Sequence, residues 1–282
     1  MPQRPGPFPS RLRKDRAAPR MRRRRSVPVR ALVESFIERA VARAATATPY
    51  RRPLVGFAAA DDPAWLRLRQ VADPAHYLPD ELLPGARTVV AFFIPFGPEV
   101  VQANRKAQGV AREWALAYVE TNALIQRIVD GLAAALAERG VRAVGRPPTH
   151  DYDPVRLTSR WSNKSAAALA GLGSFGLHRL LITDAGCAGR CGSLILDVSL
   201  EPTSGPQPER CLHFHNGSCA LCVETCPATA LRVAPRGELN LDRVACDAFC
   251  QTTEERFADL GGRATCCGKC ATAGPCALGP AV

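Results

Sequence analysis

Ten of the chain's twelve cysteines lie between Cys211 and Cys276, and this density limits the possible folds more than any other feature. One run reads Cys219-Ala-Leu-Cys222-Val-Glu-Thr-Cys226-Pro227, and a second comprises Cys246, Cys267-Gly-Lys-Cys270 and Pro275-Cys276. Two-residue gaps let neighbouring thiolates bend round one metal centre. The longer step to Cys226-Pro227 breaks that rhythm and sends its thiolate elsewhere. Zinc is the competing occupant, with Cys219/Cys222 and Cys267/Cys270 as a four-thiolate site. The 44 residues between those pairs are too many for a zinc ribbon, where roughly 15–20 is usual. Zinc also leaves the prolines beside Cys226 and Cys276 unexplained. Disulfides need an oxidising compartment, and the sequence shows no secretion signal.

The spacing fits a module of two [4Fe–4S] clusters that exchange one ligand each, as in two-cluster ferredoxins. A regular first motif would have a cysteine three residues before Cys219, where Asn216 stands. Cys211 substitutes if the chain folds back at Gly217. One cluster is therefore expected on Cys211, Cys219, Cys222 and Cys276, and the other on Cys226, Cys246, Cys267 and Cys270. The crossing of Cys226 and Cys276 would hold the clusters roughly 10–12 Å apart. Cys250 and Cys266 are left over. Cys187 and Cys191 read as free thiols near a turn, and His213 and His215 as polar loop residues.

The remaining sequence is long and apolar enough, at 282 residues and 46% apolar, to bury a sizeable core. Residues 1–30 carry a net +10 of the chain's +11. The body is then almost neutral, which argues against a nucleic-acid groove within it. The Arg- and Pro-rich head, residues 1–27, reads as a solvated, disordered tail. Arg22–Arg25 would suit a twin-arginine export signal only if an uncharged apolar stretch followed. Arg30, Glu34, Glu38, Arg39 and Arg43 interrupt that stretch. No run reaches the roughly 18 apolar residues of a membrane span. A cytoplasmic location with no membrane partner is expected, and it suits thiols kept for iron.

Apolar residues from Val29 to Ala44 recur at helical spacing, and so do those from about Ala111 to Arg139. Residues 50–86 read as irregular. Thr88–Pro95 reads as a buried strand, with shorter strands at Val141–Val144, Leu180–Thr183 and Ser193–Val198. A helix is expected at Lys164–Ala170, then a glycine turn over Gly171–Gly176. Pro202, Gly205, Pro206 and Pro208 mark a boundary. The expected division is an α/β (α+β) domain over 28–200 followed by a cysteine-rich domain over 205–282. Trp65, Trp114 and Trp161 are read as core or pocket wall.

Gly171-Leu-Gly173-Ser-Phe-Gly176 matches a dinucleotide fingerprint by letter, but it follows a helix and precedes a strand. The fingerprint needs the opposite order, so that phosphate meets a helix N-terminus. The glycines Gly171, Gly173 and Gly176 instead suggest a tight turn or a close approach to a flat ligand. The block Asn163-Lys-Ser-Ala-Ala-Ala-Leu-Ala-Gly171-Leu-Gly-Ser-Phe-Gly176-Leu-His-Arg-Leu-Leu-Ile-Thr183 resembles the central block of the epoxyqueuosine reductase family. The related reductive dehalogenases share that plan.

The resemblance implies a nitroreductase-like α/β domain that binds cobalamin, fed with electrons by a bacterial-ferredoxin-like double-cluster module. It implies an external donor of ferredoxin or flavodoxin type and a small electrophilic substrate. It also makes Asp153 the proton donor, a role that needs a raised pKa. The alternative reading of Asp153 is a turn former. Lys164 and Arg160 stand as candidate contacts to cofactor amide or phosphate groups, or as surface charge. The sequence departs from the family pattern at Asn163, Ser174 and Leu177-His178. The near-neutral body, and an end six residues beyond Cys276 where the tRNA enzyme continues into helical repeats, argue against tRNA. The alternative is an electron-transfer protein that docks a partner oxidoreductase without a corrinoid.

Overall fold

Thr88-Val-Val-Ala-Phe-Phe-Ile-Pro95 lacks polar–apolar alternation because both of its faces are covered, and every residue in it is buried. The computed structural model describes residues 28–147, 152–203 and 207–282. The Arg-rich head, part of the polar loop before Asp153, and Gly205-Pro206 lie outside the described residues.

In chain order the first part forms α1 (Val29–Ala42), β1 (Leu54–Ala59), α2 (Ala64–Val71), α3 (Pro79–Leu82), β2 (Thr88–Pro95), α4 (Pro98–Lys106) and α5 (Arg112–Ala137). There follow β3 (Ala143–Gly145), the hairpin β4 (Tyr152–Asp153) and β5 (Thr158–Ser159), α6 (Asn163–Leu169), β6 (Gly173–Phe175), β7 (Leu181–Thr183) and β8 (Gly189–Leu196). The cysteine-rich part adds α7 (Leu212–Asn216), α8 (Leu221–Glu224), α9 (Arg243–Arg256) and α10 (Lys269–Ala273).

The main sheet has the order β1-β2-β8-β3, and each neighbouring pair is antiparallel. Val90, Phe92 and Ile94 of β2 pack under α1 and α5 with Val33, Ile37, Ile125 and Leu132. Val89, Ala91 and Phe93 pack on the other face with Trp65, Trp161, Ala166 and Ala167. Helices thus cover both sides of an antiparallel sheet, the mixed α+β class that was expected.

Two strand boundaries differ from the sequence reading. Residues 50–86 hold β1, α2 and α3; Gly56, Ala58 and Ala59 give β1 little of the β-branched signature of a strand. β8 starts at Gly189 rather than Ser193 and pairs with β2 along its whole length, from Gly189 opposite Pro95 to Leu196 opposite Thr88. Gly189 and Gly192 read as turn residues, yet they leave room for the rings of Phe93 and Phe92. A Cβ there would lie 2.6 and 2.3 Å from those rings.

A third apolar cluster joins the two parts. Phe96, Val100 and Trp114 pack with Phe257, Ala264 and Ala271, together with Cys187, Cys211, Cys222 and Cys266. This core runs across the boundary expected at 201–210. Polar ties reinforce it. Asn104 Nδ2 donates to Cys267 O at 3.1 Å, and buried Lys269 Nζ donates to Asn104 O at 2.6 Å. The guanidinium of Arg51 donates to Phe96 O (3.0 Å), Leu278 O (2.9 Å) and Ala185 O (2.5 Å). At the head of β8, Cys187 N donates to Cys276 O at 2.9 Å and Ala188 N to Ala277 O at 3.1 Å. Gly186 makes the approach possible, since its φ is +80° and a Cβ would sit 2.3 Å from Ala277 O. Among the described residues, no helix is long and apolar enough to cross a membrane.

Candidate metal centres and their surroundings

Cys211 immediately precedes α7, and Gly217 ends that helix in the left-handed region at φ +76°. The Gly217 N–H donates to Leu212 O (3.1 Å) and His213 O (3.0 Å), closing the helix and turning the chain back. Cys219 and Cys222 return on the other side of that turn. Cys211, Cys219, Cys222 and Cys276 then line a single cavity, with Leu177, His178 and Pro275 completing its wall. Burial, and then the neighbouring Cys276, Cys211 and Cys219 sulfurs, push the Cys222 thiol up to about 12. Thiols packed this closely ionise together only around positive charge, which is the condition iron meets.

The second group assembles beside the first. Cys246 lies in the first turn of α9, whose N-cap Asp242 accepts from Ala245 N at 3.0 Å. Gly268, at φ +68°, opens α10 and separates Cys267 from Cys270. Cys270 is raised by burial and feels Cys267, Cys222, Cys246 and Cys226. Cys267 is pushed up to about 11 by burial, with Cys246 and Cys226 adding to it. The backbone N–H of Ala230 donates to Cys226 Sγ at 3.3 Å.

Two thiols depart from their expected surroundings. Cys250, one helical turn after Cys246, shares a hydrogen bond with it and lies near Cys267 and Cys266. That bond lowers Cys246 to about 7 and raises Cys250. Cys187 is a free thiol next to the turn that ends at Gly186, but a buried one, and its Sγ lies within 4.8 Å of Cys276 Sγ and a ring nitrogen of His178. Nothing in the spacing of Cys187 or His178 announces this meeting, because β6, β7 and the turn between them bring the two together through the fold.

The glycines read as cofactor contacts are taken up by the chain's own packing. A Cβ on Gly173 would lie 2.1 Å from Ile182 O, and one on Gly176 would lie 2.8 Å from Ile182 Cδ1. They let β6 close on β7, in register Gly173 opposite Thr183. Gly171, at φ +75°, reverses the chain after α6 and faces Thr203 O. The turn after β6 is tight: Gly176 N donates to Leu180 O (3.0 Å) and Arg179 N to Gly176 O (2.9 Å). It carries Leu177 and His178 to the wall of the first cavity.

Lys164 stands on α6 and is solvent-exposed. Surrounding protein, then the Arg179 and Arg243 charges, lower its pKa. Lys164 Nζ donates to Arg179 O at 3.2 Å, and its charge is felt by Cys246 of the second group.

The β4–β5 hairpin rests on α9, where Tyr152 OH donates to Asp247 Oδ1 at 2.9 Å. Asp153 Oδ1 accepts from Val155 N (2.8 Å) and Arg156 N (2.9 Å), which hold its pKa below the usual carboxylate value. That is the chemistry of a turn former; a general acid needs a shift in the opposite direction. Behind the hairpin, buried Asp73 accepts from Thr158 Oγ1 at 2.5 Å, and buried His76 Nε2 accepts from Ser162 N at 3.2 Å. Arg160 stacks over Tyr77, its guanidinium carbon 4.0 Å from the ring centroid, and Trp161 stacks on Trp65.

Known proteins share this fold. A solved epoxyqueuosine reductase carrying an epoxyqueuosine-modified tRNA-Tyr stem loop has a TM-score of 0.56 and 21% identity, covering 89% of this chain and 66% of that one. The chain has the epoxyqueuosine reductase fold. The catabolic reductive dehalogenase NpRdhA shares it at a TM-score of 0.54 and 18% identity, over 81% of this chain and 30% of that one. In sequence, the epoxyqueuosine reductase of Staphylococcus aureus is 24% identical over 200 residues, 67% of this chain and 47% of that protein. The chain spans about half the length of the curated epoxyqueuosine reductases it matches. No family model matches it.

The hairpin contact gives a pH signature. Burial, and then the bond to Asp247, raise Tyr152 from 10.0 to about 12. The contact therefore contributes fully below pH ~10 and is lost as pH rises through the folded value. In the difference between wild type and Tyr152→Phe, the phenolate absorbance is expected to appear well above pH ~10. Ionisation at the ordinary tyrosine value would show that the hairpin does not rest on α9.

Proposed function

We propose that the chain is an iron–sulfur reductase of the epoxyqueuosine reductase type, which passes electrons through two [4Fe–4S] clusters towards the surface that carries Lys164. The observation that carries this is the convergence of Cys211, Cys219, Cys222 and Cys276 on one cavity, with the Cys226, Cys246, Cys267 and Cys270 group adjoining it. Each cluster supplies one-electron chemistry when bound. The chain's own residues hold the thiolates apart, exclude water with Leu177 and Trp114, and place Lys164 beside the second group. An external ferredoxin- or flavodoxin-type donor is required. A small electrophile is the proposed substrate, with Lys164, Arg179 and Arg243 supplying positive charge where negative charge would develop.

The reading is tested by iron content after anaerobic reconstitution. Wild type is expected to hold about eight irons with matching sulfide. Cys222→Ser and Cys267→Ser should each lose about half, and Cys250→Ser should lose none. A protein with about one zinc and no sulfide would contradict it.

A corrinoid is what the likeness to the family leads one to look for. Of the residues singled out for it, Gly171, Gly173 and Gly176 turn their Cβ directions to the chain's own backbone and side chains, and Lys164 is exposed. That favours the second reading, an electron-transfer protein serving a partner oxidoreductase. Titration of cobalamin into the anaerobic protein separates the two. A shift of the cobalt bands to a base-off form supports a corrinoid reductase, and unchanged bands support the partner-docking protein. A tRNA stem loop in the same assay tests that substrate class.

A further inference from the structure

His178 touches a candidate ligand sulfur without belonging to either proposed set of four thiolates. We propose that His178 tunes the first cluster by donating an Nε2–H···Sγ hydrogen bond to the Cys276 thiolate. The inference rests on the two-cluster reading. The imidazole is 5% exposed. Its Nδ1 lies 3.1 Å from the backbone N–H of Leu180, which can only donate. Nδ1 must therefore present its lone pair, and the proton of the neutral ring sits on Nε2. Nε2 is 3.6 Å from Cys276 Sγ, an ordinary length for a nitrogen donor to sulfur. The tautomer and the bond thus follow from one backbone contact.

The turn that holds the ring is built for it. Gly176 leaves the space the imidazole fills, since a Cβ there would sit 3.0 Å from His178 Cε1. Cys187 Sγ lies within 4.8 Å of both Cys276 Sγ and a His178 ring nitrogen, and directs its own S–H to Ala271 O at 3.4 Å. His178 is then placed as the nitrogen donor to the Cys276 sulfur. The glycine block, which follows the pattern of a ligand-binding loop, acts here as the support of this donor.

The consequence is electrostatic. Reduction adds one electron from the external donor to the cluster, and no bond breaks and no proton leaves His178. The added negative charge spreads onto the sulfurs, so a donor hydrogen bond stabilises the reduced form more than the oxidised form. The first cluster is therefore easier to reduce with His178 than without it.

The test is an anaerobic redox titration, followed by electron paramagnetic resonance, of wild type, His178→Leu and His178→Gln, each first assayed for iron. His178→Leu is expected to move one midpoint to more negative potential and leave the other unchanged. His178→Gln, whose amide N–H reaches the same sulfur, should recover part of the shift. Both midpoints unchanged in His178→Leu at full iron content would overturn the proposal, as would equal shifts in both variants. Wild type without clusters would overturn the two-cluster reading itself. If His178→Leu fails to retain iron, isotope-labelled histidine in wild type decides: a weak nitrogen coupling to the reduced cluster supports the bond, and its absence rejects it.

Discussion

The head of β8 and the last turn of the cysteine-rich part share two backbone hydrogen bonds, Cys187 to Cys276 and Ala188 to Ala277. β8 is an interior strand, locked to β2 along its full length, so whatever is bonded to its first residues is fixed relative to the whole sheet. Cys276 is thereby placed, and with it the cavity it closes. The seam's stability comes from elsewhere. Each such hydrogen bond is worth about 1 kcal/mol net, whereas Phe96, Trp114 and Phe257 in the shared core each bury enough for roughly 1.5–3 kcal/mol. Burial holds the parts together, and the hydrogen bonds decide the register in which they meet. Arg51 acts at the same place by joining the end of β2, the residue before Gly186, and Leu278.

From that seam the chemistry is layered outward. The first sulfur group is enclosed by Leu177, His178 and the α7–α8 segment. The second lies next to it through Cys270, which feels Cys222 of the first group as well as its own partners. Next to the second group stands Lys164, whose charge is felt by Cys246, and the β4–β5 hairpin rests on α9 through the Tyr152–Asp247 bond.

The cysteine spacing made the meeting of Cys211, Cys219, Cys222 and Cys276 at one cavity legible, Cys211 across the Gly217 reversal included. β2 was legible from its unbroken apolar run, and α1, α5 and α6 from their periodicity. β1 was not, because Gly56 and its alanines satisfy packing against α6 rather than strand propensity. The start of β8 was hidden for a related reason, since Gly189 and Gly192 look like turn residues until the rings of Phe92 and Phe93 are set against them. The glycine block was recognisable as special but not for its purpose, because the contact between His178 and Cys276 spans 98 residues. Asp153 showed the opposite difficulty. Its letter suits a proton donor, and its Oδ1 accepts from Val155 N and Arg156 N, the bonds of a turn former.

The central claim is that eight thiolates cage two iron–sulfur cubes sharing a crossed ligand set. Native mass spectrometry of the anaerobically reconstituted chain addresses it most directly. The account predicts one dominant species heavier than the polypeptide by two Fe4S4 units, with a single-cube species arising as one cluster is lost. A polypeptide carrying only zinc, or no inorganic sulfide at any stage of reconstitution, would contradict it.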